Sequence, residues 1–215
     1  EDPYAFLIER DQRIRSREIT RPSSLDHASF GSMIHSVLES WGREEQQRPR
    51  RTEHAGQIEK ELLAELDQYQ RRVFGDQPLP GLRVQFAIAA YRLRAAAEVQ
   101  AERARQGWKI HLVEKTFDRH QAPWFPDTTG LPLHGKIDRI DVNMDGCFQA
   151  LDYKTGKAIE TPEAVHQGRS GWKDLQLPLY QFLLASADIP VPADGLGYFM
   201  IPADRSSCGV SMASW

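Results

Sequence analysis

A chain of 215 residues, 40% of them hydrophobic, with 27 basic and 30 acidic side chains, is long enough to bury a substantial core without disulfides. Its formal net charge of −3 excludes a globally basic nucleic-acid binder, so contact with a polyanion has to come from a local patch. The two cysteines, Cys147 and Cys208, are too few for a zinc or disulfide framework and point to a reducing cytosol, and no apolar run approaches a membrane span.

The opening Glu1-Asp2-Pro3-Tyr4 carries neither an initiator Met nor a signal-peptide pattern and reads as the edge of a domain cut from a longer protein. Residues 1–22 carry Arg10, Arg13, Arg15, Arg17 and Arg21, a solvated face with phosphate contact as the alternative. The polar cluster from Ser23 to Asp26 reads as a helix start, and Phe30, Ile34, Val37, Leu38 and Trp41 then recur at helical spacing, with His35 beside that stripe. The charged stretch 43–53, with Arg48-Pro49-Arg50-Arg51, predicts an exposed connection. Helices over 54–74 and 82–105 follow, separated by Gly75 to Gly81, whose Gly and Pro end one and begin the next.

After Gly107 the period becomes alternating. Residues 109–117 predict a strand in which Ile110, Leu112 and Glu114 share a face. A loop from Arg119 to Pro132 leads into two strands near 134–143 and 147–155, joined by an Asp145-Gly146 hairpin turn. Asp138 falls on the face of Ile140 and Val142, and Asp152 and Lys154 on that of Phe148 and Ala150. A fold keeps charge on such faces only where a partner or a metal compensates.

Downstream, a polar segment reaches Gly171, and Asp174 is placed to cap a helix with Pro178 in its first turn. Gln176 and Tyr180 project from one face of that helix beside Leu183 and Ala187, and 195–201 predicts a last strand. The expectation is α/β: a small mixed β-sheet flanked by helices, after an N-terminal helical region. We read 1–215 as one domain, with 1–107 mainly helical and carrying His35, and 108–215 as the core.

Asp138 and Asp152, on neighbouring strands, can share one cation, and oxygen ligands favour Mg²⁺ or Mn²⁺. Lys154 then sits near an attacking water, and its adjacent carboxylate favours an orienting role over that of a general base. Hydrolysis of a phosphodiester needs these parts. The plainer reading is a structural ion pair at a sheet edge. Plainer readings also exist for His35 as a core histidine, Glu114 as a salt-bridge partner, and Gln176 and Tyr180 as packing groups. Lys136, Arg139, Lys157, Arg169 and Lys173 surround the motifs as a basic rim for DNA, and Trp124 and Trp172 are candidates to stack on bases.

Taken together, Gly31-x-x-x-His35, Gly135-x-x-Asp138, Asp152-x-Lys154 and Gln176-x-x-x-Tyr180 resemble the RecB-like, AddB-type branch of the PD-(D/E)XK nuclease superfamily. The opening Pro3-Tyr4-Ala5-Phe6 and the closing stretch from Gly197 to Pro202 resemble the edges of that domain, so the likeness covers nearly the whole chain. It implies a restriction-endonuclease-like core, with Asp138, Asp152 and the Tyr153 backbone carbonyl binding the metal and Lys154 at the water. It further implies that His35 completes the metal shell, that Gln176 and Tyr180 hold the active-site region and nearby DNA, and that Glu114 is the strand carboxylate found before the hairpin, supporting the metal ligands from behind or binding a second metal. Some AddB-type domains hold an iron-sulfur cluster through four cysteines. Here Asp2 stands at the first of those places, so no cluster is expected.

The implied function is a Mg²⁺- or Mn²⁺-dependent, cytoplasmic DNA nuclease. It would act as an exonuclease on single-stranded ends beside a helicase, in recombination or double-strand-break repair, without membrane contact. The alternative is a non-catalytic DNA-binding or scaffolding module of a repair complex.

Overall fold

A computed structural model describes residues 23–117 and 133–215. The N-terminal arginines, the Pro3 to Phe6 opening, Asp2 and Trp124 lie outside the described residues. Helix α1 (His27–Gln46) starts where Asp26 accepts the Ser29 N–H at 2.7 Å, and it buries Phe30, Met33, Ile34, Val37, Leu38 and Trp41. Helices α2 (Ala55–Phe74) and α3 (Pro80–Arg105) complete a helical layer. Gly75, with φ of 78°, ends α2 in a conformation open to glycine, and Pro80 opens α3 where a missing N–H costs nothing.

The connection after α1 corrects the expectation of an exposed linker. The helix continues to Gln46, and Glu45 is buried, accepting the Thr52 N–H at 2.6 Å and its hydroxyl at 2.8 Å. Glu45 lies within a run of charged residues, so composition concealed a carboxylate that staples the loop.

The strands β1 (Lys109–Phe117), β2 (Gly135–Val142), β3 (Phe148–Lys154), β6 (Leu196–Met200) and β7 (Gly209–Met212) form a five-stranded sheet in the order β1-β2-β3-β6-β7. Among the described residues, only β3 and β6 pair in parallel. The chain between them crosses over through α4 (Pro162–His166), a small hairpin of β4 (Gln167–Gly168) and β5 (Gly171–Trp172), and α5 (Gln176–Ala185). The sequence reading missed α4, the small hairpin and β7, all short pieces with weak periodicity.

One apolar cluster joins α1–α3 to Ile110, Val113, Leu151, Tyr153 and Phe199, and a second joins α5 to Ile140, Ala150, Leu196 and Tyr198. The sheet is therefore covered on both faces, a mixed α/β architecture consistent with the restriction-endonuclease-like fold. In β3 the alternation holds, with Leu151 and Tyr153 in the first cluster and Ala150 in the second. In β1 it does not. A register shift between Ile110 and Leu112 leaves His111 as an extra residue, so Ile110 packs with α1–α3 whereas Leu112 packs against the α5 cluster. The expected shared face of Ile110, Leu112 and Glu114 is thus broken at the bulge. Among the described residues, no helix is long and apolar enough to cross a membrane.

Candidate active site

The site forms where the sheet forks. Strands β2 and β3 are paired from Val142–Phe148 to Arg139–Leu151, and beyond that point β2 stays with β1 while β3 stays with β6. The backbone groups freed at the fork find other partners. The Tyr153 N–H donates to Asp138 Oδ2 at 2.9 Å, and His35 Nε2, from α1, lies 3.0 Å from the Tyr153 carbonyl oxygen. His35 Nδ1 is 3.4 Å from Asp138 Oδ2. One turn before His35, Gly31 leaves the approach open, since a Cβ there would lie 3.0 Å from Thr155 Oγ1.

Glu114 comes to the same place. The pairs Val113–Arg139 and Lys115–Ile137 put it opposite Asp138, and its φ of 50° lies in the left-handed region that a non-glycine residue enters at a cost. Its carboxylate is ion-paired with Lys136. Ligand atoms of His35, Glu114 and Asp138 all lie within 4.8 Å of one another. These three are the group that the structure brings together, and His35, Glu114 and Lys136 line a cleft of about 410 Å³ with Ser32, Ser36 and Thr155.

Asp152 stands beside this group, and hydrogen bonds hold both its oxygens. Oδ1 accepts from Gln176 Nε2 at 2.6 Å and from the Tyr180 hydroxyl at 3.1 Å, and Oδ2 lies 2.7 Å from Lys154 Nζ. Gln176 also accepts from Lys154 Nζ at 3.2 Å and donates to Tyr180 at 3.1 Å. The one-turn spacing of Gln176 and Tyr180 on α5 aims both at a single carboxylate. Asp174 Oδ1 accepts the Gln176 N–H at 2.7 Å, and Leu175 takes the cap position expected for Asp174.

Electrostatics follow from this crowding. Burial first, and then the charge of Asp152, push Asp138 up to about 6, against the pull of His35 and the Tyr153 N–H. Burial and the charges of Asp152 and Asp138 hold the Tyr180 phenol far above its ordinary value, so it stays a donor. A carboxyl whose pKa is raised by burial and by a second carboxylate is one that added positive charge would stabilise in its ionised form.

The family model described as the PD-(D/E)XK nuclease superfamily matches residues 2–209. The chain belongs to the PD-(D/E)XK nuclease superfamily. None of the curated proteins compared with the chain matches it. Members of this superfamily are generally nucleases that use divalent metals, and the donor set of this PD-(D/E)XK domain fits one. It offers an imidazole, carboxylates and a strand carbonyl around a point where Asp138 lacks compensation.

The residues expected to form a basic rim differ in exposure. Lys157, Arg169 and Lys173 are exposed, and Lys136 is solvent-accessible but paired with Glu114. Arg139 is a correction: it is 1% exposed and bonds Asp141 Oδ1 through Nε at 2.7 Å and Oδ2 through a terminal nitrogen at 2.9 Å. Arg103 joins the same carboxylate at 2.7 Å, and Arg139 stacks over Phe199 at 5.4 Å. Asp141, two residues along the strand, signals this pairing, since side chains at i and i+2 share a face. Trp172 is half-exposed at the small hairpin, edge-on to Trp215.

Sequence reasoning missed Tyr198, whose ring lies 4.8 Å from Lys154 Nζ and which stands in register with Asp152 on the next strand. The closing stretch Gly197-Tyr198 was visible, but not its neighbour across the crossover.

Proposed function

We propose that this PD-(D/E)XK domain is a Mg²⁺- or Mn²⁺-dependent deoxyribonuclease of the RecB-like, AddB-type branch. It acts as an exonuclease on single-stranded ends handed over by a helicase subunit or domain, in recombination or double-strand-break repair. The observation that supports this best is the convergence of Asp138, Asp152, Glu114, His35 and Lys154 on one fork in the sheet.

In this reading His35, Asp138, Asp152 and the Tyr153 carbonyl hold the cation, and Glu114 is close enough to be a ligand itself. Held there, such an ion would supply polarisation of a phosphate oxygen and a lowered pKa of water. Lys154, kept in place by Asp152 and Gln176, orients the water and faces the charge that develops on the phosphate. Gln176 and Tyr180 fix the Asp152 carboxylate, limiting its motion during the displacement. Lys157, Arg169 and Lys173 supply backbone contacts to DNA.

The test is degradation of end-labelled single- and double-stranded DNA by the purified protein with Mg²⁺ or Mn²⁺, beside EDTA and Asp152→Ala controls. Metal-dependent cleavage lost in both controls supports the proposal and gives the strand preference. Absence of cleavage together with absence of metal binding overturns it in favour of a scaffolding module.

A further inference from the structure

His166 is fully buried at the end of α4, away from the cleft, and none of the roles assigned above uses it. Its ring is nevertheless bonded at both nitrogens. Nδ1 lies 3.0 Å from the Asp174 carbonyl oxygen and 3.0 Å from Asp174 Oδ1. Nε2 lies 2.7 Å from the Tyr198 hydroxyl. Both Asp174 groups are acceptors, so Nδ1 carries a proton, and Nε2 pairs with the Tyr198 hydroxyl.

Each contact leads to Lys154. Asp174 Oδ1 accepts the Gln176 N–H at 2.7 Å, and the Gln176 side chain bridges Lys154 Nζ and Asp152 Oδ1. On the other side, the Tyr198 ring lies 4.8 Å from the same Lys154 Nζ, a cation–π distance. A closed circuit thus runs from His166 through Asp174 and Gln176 to Lys154 and back through Tyr198. Trp215 packs edge-on against His166 at 5.6 Å and limits tilting of the ring.

We propose that His166 is a positioning residue for the Lys154 ammonium. One imidazole sets both the start of α5, which delivers Gln176, and the rotation of the Tyr198 ring beneath the lysine. The proposal rests on the nuclease reading for its kinetic consequence, but the circuit itself can be read without it.

The experiment compares wild type with His166→Phe, which keeps a flat ring and loses both bonds. It also uses His166→Asn, whose amide reaches only the Nδ1 position, His166→Gln, whose amide reaches only the Nε2 position, and Tyr198→Phe, which removes a single hydroxyl. Two readouts are taken: NMR signals of the Gln176 side-chain amide and the Lys154 ammonium, and kcat and KM for single-stranded DNA with Mn²⁺.

The expected result is that His166→Phe moves both NMR signals and lowers kcat about tenfold to a hundredfold at unchanged KM and Mn²⁺ affinity. His166→Asn should restore the Gln176 signal, and His166→Gln the Tyr198 side of the circuit. A folded His166→Phe protein with wild-type Gln176 and Lys154 signals overturns the proposal. If His166→Phe does not fold, Tyr198→Phe decides in its place, and an unmoved Lys154 signal there counts against the proposal. A wild-type protein that neither cleaves DNA nor binds Mn²⁺ overturns the nuclease reading alone, and the NMR comparison still decides on His166.

Discussion

The Asp138 carboxylate accepts the Tyr153 main-chain N–H at 2.9 Å, so a side chain of β2 takes the place that a backbone carbonyl would hold had the ladder continued. The same carboxylate is both a structural acceptor and a candidate ligand.

The proposed division of roles predicts distinct losses. Asp152→Ala and Lys154→Ala should each lower DNA cleavage by at least roughly a hundredfold while the circular-dichroism spectrum stays that of a folded protein. Asp152→Ala should also weaken Mn²⁺ binding in calorimetry, whereas Lys154→Ala should leave it near wild type. Full activity in either variant contradicts the assigned roles.

Asp138 gives a pH dependence with a definite sign. Its folded value, about 6, lies above its ordinary value of 3.8, so the folded protein holds this proton more tightly than the unfolded chain does. The resulting stabilisation is full below the unfolded value and is lost as pH rises through about 6. Metal-free Asp138→Asn should therefore be more stable than wild type at pH 7.5, by roughly 1–3 kcal/mol, with the advantage vanishing near pH 4. It should bind Mn²⁺ poorly, and wild-type binding at pH 6 should release protons. Thermal melts at the two pH values, with and without Mn²⁺, check this.

Two basic residues expected on the DNA-facing rim should separate cleanly. Arg139→Ala removes the two-point partner of buried Asp141, leaves that carboxylate to Arg103 and empties the space over Phe199, and should cost about 2–4 kcal/mol of stability. Lys157→Ala, at an exposed site, should change stability by less than about 0.5 kcal/mol and lower the salt dependence of DNA binding by about one phosphate contact. Urea unfolding and salt-titrated binding to a fluorescent oligonucleotide make the comparison.

Glu114 sits closer to His35 and Asp138 than a second-shell role requires. Glu114→Gln should weaken Mn²⁺ binding about tenfold to a hundredfold, with little loss of stability because the amide still reaches Lys136. An unchanged affinity in calorimetry would return Glu114 to the role of salt-bridge partner.

Much of this was legible in the chain itself, for a physical reason. Asp138, Asp152 and Lys154 break the apolar pattern of strands that otherwise read cleanly, and an Asp-Gly turn fixes the hairpin that carries them. His35 and the Gln176–Tyr180 pair were legible through their spacing on helices. Arg139 was misplaced because an exposed arginine and a buried, paired one look alike in isolation; Asp141 two residues on hinted at the pairing, but the burial depends on α3, whose Arg103 shares that carboxylate. The His111 bulge left no local signal, since a register shift depends on both strands. The His166 circuit links residues 32 positions apart through a parallel crossover, beyond the reach of any periodicity.

The bond from His35 to the Tyr153 carbonyl spans 118 residues of chain, and the cluster beneath it mixes α1–α3 with β1, β3 and β6. Severing the backbone near Gly107 would therefore give two pieces, one bare of its sheet and one stripped of α1–α3, neither holding all the donors. Fragment complementation follows as a use of that architecture: recovery of cation affinity on mixing the two pieces reports their reunion, with no label attached to either.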